Sequence, residues 1–172
     1  MKKLLILGAG GYGKTVADIA AQLRCYSKIA FLDDTKAGKA GMLGVCEEFL
    51  QFADADTEIY PAFGDNSLRM AWMDKLEEYG IAVPTLVHPA AYVSPTADLG
   101  EGVTVLPKAV VNTGAVVKRG CIINIGALVD HDVVMEEGSH LAPGAVVKGE
   151  NRIPAGMKVE SGTVIENRQY PL

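Results

Sequence analysis

Aromatic residues are scarce in this 172-residue chain, at 6% with a single Trp. Cysteine is nearly missing too: Cys25, Cys46 and Cys121 form an odd set without disulfide or metal-ligand spacing, which argues for packing roles and no bound metal. There is no basic excess. A net charge of −5 and a pI near 5.2 give no footprint for nucleic acid or an anionic membrane, and neither partner is expected. Long hydrophobic runs are absent as well, because glycines interrupt the apolar stretch Leu4 to Leu7 at once. The start is therefore no signal peptide, and a soluble cytoplasmic protein is the expectation.

What is present is a period of six. From Val87 every sixth residue is apolar: Val93, Leu99, Val105, Val111, Val117, Ile123, Val129, Met135, Leu141, Val147, Ile153, Val159 and Ile165 follow. With hydrophobic residues at 49% of the chain, such a run has a chance probability on the order of one in ten thousand. Six is neither the helical period nor plain strand alternation. It marks a solenoid of short strands that bury their side chains only by stacking on their neighbours. Four positions after these aliphatics, through most of the run, stands a small or β-branched residue: Ala91, Ala97, Val103, Ala109, Ala115, Cys121, Ala127, Val133, Ser139 and Ala145, so the interior is narrow. One place earlier glycine recurs, as at Gly102, Gly114, Gly120 and Gly126, where a chain turning corners needs positive φ. The segment resembles the left-handed parallel β-helix of hexapeptide-repeat acyltransferases; its handedness and triangular prism are implied by that resemblance.

The abrupt onset of the repeat near Pro84 predicts two domains, 1–83 and 84–172. In the first, Leu4 to Leu7 reads as a buried strand, followed by Gly8-Ala9-Gly10-Gly11-Tyr12-Gly13 and a helix from Lys14 to Arg24. A second strand, Lys28 to Leu32, ends in Asp33-Asp34. A third, Ile59 to Phe63, leads through Gly64-Asp65-Asn66 into a helix from Ser67 to Tyr79. This is a short Rossmann-like α/β pattern in which helix N–H groups can meet a phosphate. Gly8 to Thr15 satisfies both G-x-G-x-x-G and G-x-x-x-x-G-K-T. The second pattern needs a Mg²⁺-binding acid and a larger core than this segment offers, and nothing nearby offers a nicotinamide site. Glycines serving only as tight-turn residues remain open; between these lies binding of a nucleotide portion, with Asp33 or Asp34 on the base or ribose.

Of three histidines, His88 precedes Pro89 at the solenoid entrance and suits a capping or surface role. His131 and His140 lie nine residues apart in the densest part of the repeat, and neither replaces an inward aliphatic. A zinc site of the carbonic anhydrase kind would need three histidines, and His88 is too distant to complete the set.

These residues carry a wider resemblance. The glycine loop, Phe31-Leu32-Asp33-Asp34, Val87-His88-Pro89, Val111-Asn112-Thr113, Asp130-His131-Asp132 and Ser139-His140-Leu141-Ala142-Pro143-Gly144 are similar to sugar O- or N-acyltransferases of the sialic acid O-acetyltransferase and bacillosamine N-acetyltransferase group. The resemblance spans almost the whole chain and is most specific from Asn124 to Gly149.

It implies an acetyl-CoA-dependent transfer to an amino or hydroxyl group of a nucleotide-linked sugar, without an acyl-enzyme. His131 would be the general base, with an unperturbed pKa of about 6.5 suited to neutral pH, and Asp132, or failing it Asp130, would fix its tautomer. His140 would meet the acetyl carbonyl, Gly149 N–H would donate to CoA or the oxyanion, and Asn124 would orient His131 or the acceptor. Gly11, Gly13, Asp33, Asp34, Gly64 and Asp65 match the nucleotide-sugar site, with a UDP-sugar as ligand. The family is trimeric, with sites between adjacent prisms. One departure stands: only 23 residues follow Gly149, no G-x-P-A segment closes the chain, and the small-residue register passes to Asn151, Met157, Thr163 and Gln169. A nucleotide-sugar-binding or scaffold protein without transferase activity is the alternative.

Overall fold

The computed structural model describes residues Met1–Leu172 and divides into two compact units, Met1–Pro84 and Thr85–Leu172. The division falls one residue beyond the sequence boundary.

The first unit is a three-stranded parallel sheet with two helices. Its elements are β1 (Lys2–Leu7), α1 (Gly11–Leu23), β2 (Tyr26–Leu32), a 3₁₀ helix (Cys46–Gln51), β3 (Thr57–Pro61) and α2 (Asn66–Glu78). The sheet order β2-β1-β3 places the first strand in the middle, where Leu4 to Leu7 are buried. A central parallel strand is covered on both faces, which is why it reads as a continuous apolar run. Strand order reverses between β1 and β3, so their C-terminal ends open a crevice into which the glycine loop and the Phe63–Asp65 turn lead. Helix α1 begins three residues earlier than expected because Gly11, Tyr12 and Gly13 belong to it. The 3₁₀ helix had no periodic signal; Cys46 N–H bonds Asp34 Oδ1 at 2.8 Å, and Phe49 packs edge-on against Trp72 and Tyr79.

The second unit is a parallel β-helix. Fourteen two-residue strands run from β4 (Leu86–Val87) to β17 (Val164–Ile165), and the second residue of each is one of the fourteen periodic aliphatics. Strands pair in register with those eighteen residues on, Val87 with Val105 and Val105 with Ile123, forming three sheets. The interior is aliphatic, with Cys121 buried among small residues and its thiol near Ser139 Oγ at 3.2 Å. Corners take positive φ at glycine, as expected, but also at Lys108, Asp132, Glu150 and Arg168. His88 is buried and serves its turn, accepting the Ala90 N–H at 2.9 Å.

Candidate active site

In the first unit a concavity of about 530 Å³ opens at the strand-order reversal, lined among others by Gly11, Tyr12, Asp33, Asp34, Gly64 and Asp65. Five of the six predicted ligand-binding residues thus converge. Helix α1 has Gly10 as its N-cap, with no side-chain cap and no acid in its first turn, the setting in which a helix N-terminus receives an anion. Gly13 does not line the hollow. A Cβ there would lie 1.9 Å from the Gly8 carbonyl oxygen, so this glycine permits the close approach of helix to strand. Thr15 Oγ1 donates to Gly11 O at 3.1 Å inside the helix.

The acids divide by what they already hold. Asp33 Oδ2 accepts the Ala9 N–H at 2.6 Å, and its Oδ1 accepts the Thr35 N–H and hydroxyl at 2.9 and 2.7 Å. Burial pushes its pKa up, but those donors and Lys36 outweigh burial and hold it below the ordinary value. Asp33 therefore braces the glycine loop. Asp34 and Asp65 each accept a backbone N–H on Oδ1, from Cys46 and Leu68 respectively, and both carboxylates line the hollow. Arg69, fully buried, holds the intervening turn by donating to Phe63 O at 3.0 Å and Asn66 Oδ1 at 2.8 Å.

In the second unit the histidines sit in separate settings. His131 occupies the corner between strands β11 (Leu128–Val129) and β12 (Val134–Met135), and its Nδ1 lies 2.9 Å from Asp132 Oδ2. A carboxylate only accepts, so Nδ1 carries the proton and Nε2 keeps the basic lone pair. Hydrogen bonding to Asp132 foremost, with the charge of Asp130, raises the His131 pKa above its ordinary value. Asp132 stands at φ 55°, a left-handed conformation that Asp tolerates better than most residues.

The spacing of eighteen explains how the pair fits. One coil before Asp132 lies Gly114, where a Cβ would come within 2.6 Å of Asp132 Oδ1; one coil after His131 lies Gly149, where a Cβ would come within 2.7 Å of ring atoms Cε1 and Nε2. Two glycines in stacked corners thus make room for the dyad. Asp130 binds the corner from beneath: its Oδ1 accepts the His131 N–H at 2.8 Å and Asn112 Nδ2 at 3.1 Å. Burial would raise its pKa, but these bonds, the His131 charge and the Gly149 N–H lower it.

His140 is buried on strand β13 (His140–Leu141), and Asn124 bonds to it and not to His131. Asn124 Oδ1 accepts the Ile125 N–H at 2.8 Å, which fixes the amide orientation and puts Nδ2 3.1 Å from His140 Nε2. Nε2 is therefore the acceptor and the His140 proton resides on Nδ1. The sequence marks Gly114 only as a corner and Asn112 only within a motif; their contacts with Asp132 and Asp130, each eighteen residues on, come from the stacking. No group of three or more His, Cys, Asp or Glu is arranged to hold a metal ion, and no helix is long and apolar enough to cross a membrane.

Residues 3–76 match the PglD N-terminal domain family. The acetyltransferase domain of PglB from Neisseria gonorrhoeae FA1090 is 37% identical, with a TM-score of 0.93 over 98% of this chain and 84% of that one. This chain belongs to the bacillosamine-type N-acetyltransferase group. The same PglB domain has been solved with acetyl coenzyme A, at a TM-score of 0.92. A variant perosamine N-acetyltransferase from Caulobacter crescentus, in complex with CoA and GDP-perosamine, is 26% identical over 97% of this chain and 90% of its own, with a TM-score of 0.86. UDP-N-acetylbacillosamine N-acetyltransferase of Bacillus subtilis (strain 168) is 30% identical over 112 residues, which make up 62% of this chain. That match spans about half the curated relative, 52% of its length.

Proposed function

We propose that this group member transfers an acetyl group from acetyl-CoA to an amino group of a nucleotide-linked sugar, directly and with His131 as general base. The observation that carries this reading is the dyad, with His131 Nδ1 held by Asp132 at 2.9 Å and Nε2 left as the base. The amine nitrogen attacks the thioester carbonyl and gives its proton to Nε2; the C–S bond then breaks and the departing thiolate takes that proton from the imidazolium. Asp132 stabilises the imidazolium. The Asn124–His140 pair supplies a donor to the acetyl carbonyl through the second N–H of the Asn124 amide, while Gly149 lets the ring and the reacting atoms approach closely.

The nucleotide portion, read as UDP, occupies the concavity at the glycine loop. The uncapped start of α1 faces its phosphates, and Asp34 Oδ2 accepts from ribose or base, in preference to the fully engaged Asp33. The active assembly is a homotrimer. Its support is the separation of the two histidines within one chain, which suits a centre completed by His140 of an adjacent prism.

Thiol release from acetyl-CoA with UDP- and GDP-linked amino- and hydroxy-sugars tests the reading. His131→Ala should lower kcat at least about a hundredfold while leaving the KM for the nucleotide-sugar within about twofold. No turnover by the parent protein, or an unaffected His131→Ala variant, would overturn it. Calorimetry with UDP, GDP, NAD and ATP separately tests the nucleotide, and light scattering that finds a monomer at micromolar concentration would remove the shared centre.

A further inference from the structure

The coil that carries Gly149 breaks the interior pattern of those before it. Where they place Ala127, Val133, Ser139 and Ala145, this coil places Asn151, fully buried. A valine or alanine would fill that position without needing any hydrogen bond. A buried amide is tolerated there only when its donors and acceptor are satisfied, and each of them is spent on joining two stretches of chain. Nδ2 donates to Lys148 O and Glu166 O, both at 2.8 Å, and reaches Gly149 O at 3.4 Å; Oδ1 accepts the Tyr170 N–H at 2.8 Å.

Other links between the same stretches are the Arg152 N–H to Tyr170 O at 2.7 Å, Asn167 Nδ2 to Gly149 O at 3.4 Å, and the ion pairs Lys148–Glu166 and Glu150–Arg168. The ion pairs join solvent-accessible side chains, where such pairs hold little. Asn151 is fully buried and joins the stretches by hydrogen bonds from inside the prism. The peptide it grips is the corner of the dyad: the neighbouring Glu150 N–H donates to His131 O at 3.3 Å, and a Cβ on Gly149 would stand 2.7 Å from the His131 ring.

We propose that Asn151 is a positioning residue for acyl transfer, tying segment 166–170 to the Gly149 corner so that the surface on which His131 rests keeps its place. The proposal rests on the reading of His131 as the base. Asn151 itself touches neither ring nor carboxylate of the dyad; it acts through the Gly149 peptide. Displacements below an ångström at a base are enough to change the rate of the chemical step while leaving substrate binding elsewhere intact.

The test replaces Asn151 by Val, the residue found at the inward positions 103 and 133. Asn151→Val should retain the parental circular dichroism spectrum, lower kcat about tenfold, leave the nucleotide-sugar KM within about twofold, and speed hydrogen exchange at the Gly149 amide at least about tenfold. Arg168→Ala, which removes only an exposed ion pair, should leave kcat within about twofold. If Asn151→Val does not fold, Asn151→Thr keeps a hydroxyl for one of the carbonyls and should show a smaller kcat loss in the same direction. Parental kcat together with parental Gly149 exchange in a folded variant would overturn the proposal and reduce Asn151 to an interior residue. Should the parent protein transfer no acetyl group, the function fails by that result alone. Exchange at Gly149 then still decides whether Asn151 holds the corner.

Discussion

At the scale of single residues, the dyad depends on what its neighbours lack. Gly149 has an ordinary φ, so Gly149→Ala carries no backbone penalty, yet its new Cβ would stand 2.7 Å from the His131 ring. The ring is half exposed and can swing away. Gly149→Ala should therefore keep the parental Tm and lose kcat about tenfold or more, as steady-state kinetics beside a melt would show. Gly114→Ala meets Asp132 Oδ1 at 2.6 Å and must also hold φ +68°, so it should lose about 1 kcal/mol of stability as well as activity. The pH dependence has a definite sign. Asp132 is the foremost cause of the raised His131 pKa, and only neutral His131 can accept a proton. Asp132→Asn should move the acid limb of kcat/KM to lower pH while lowering its plateau. An acid limb that stays in place would separate Asp132 from the titrating base.

At the scale of elements, the glycine loop contains residues of different physical purpose. Gly13→Ala drives a Cβ to within 1.9 Å of a backbone oxygen on Gly8, and no side chain can give way. Helix α1 would have to lift from β1, at a cost of about 3 kcal/mol, measurable by urea denaturation. Gly11 faces open space without positive φ, so Gly11→Ala should change stability by less than about 0.5 kcal/mol and act on nucleotide binding alone. A comparison of the two by denaturation and calorimetry distinguishes a packing glycine from a ligand-facing one inside a single motif. The motif G-x-G-x-x-G names both but does not say which is which.

At the scale of the whole molecule, the solenoid is a stack in which each strand sees chiefly its neighbours one coil away. Ile123 is fully buried and pairs with Val105 and Leu141. Ile123→Ala should cost about 3 kcal/mol, and amide exchange should rise first in the coils containing those two partners. Uniform loss of protection through every coil would contradict nearest-neighbour stacking.

The periodic aliphatics, the corner glycines and the βαβ pattern were legible because each is a local demand repeated along the chain: an inward side chain every six residues, a positive φ at a corner, a buried central strand. The residues His131, Asp132, His140 and Asn124 were likewise visible as types at a family spacing. What the linear order does not display is contact across a coil. Asn124 holds His140, Asp130 and Gly149 hold the corner of His131, and Asn151 joins that corner to Tyr170. Asn151 read as a lapse in the small-residue register until its four bonds were seen. Asp33 and Asp34 were equivalent as adjacent acids; only the folded loop decided that Asp33 is consumed by Ala9 and Thr35. Repetition and local conformation are properties of the sequence, whereas the satisfaction of each polar group depends on which distant residue the stacking brings beside it.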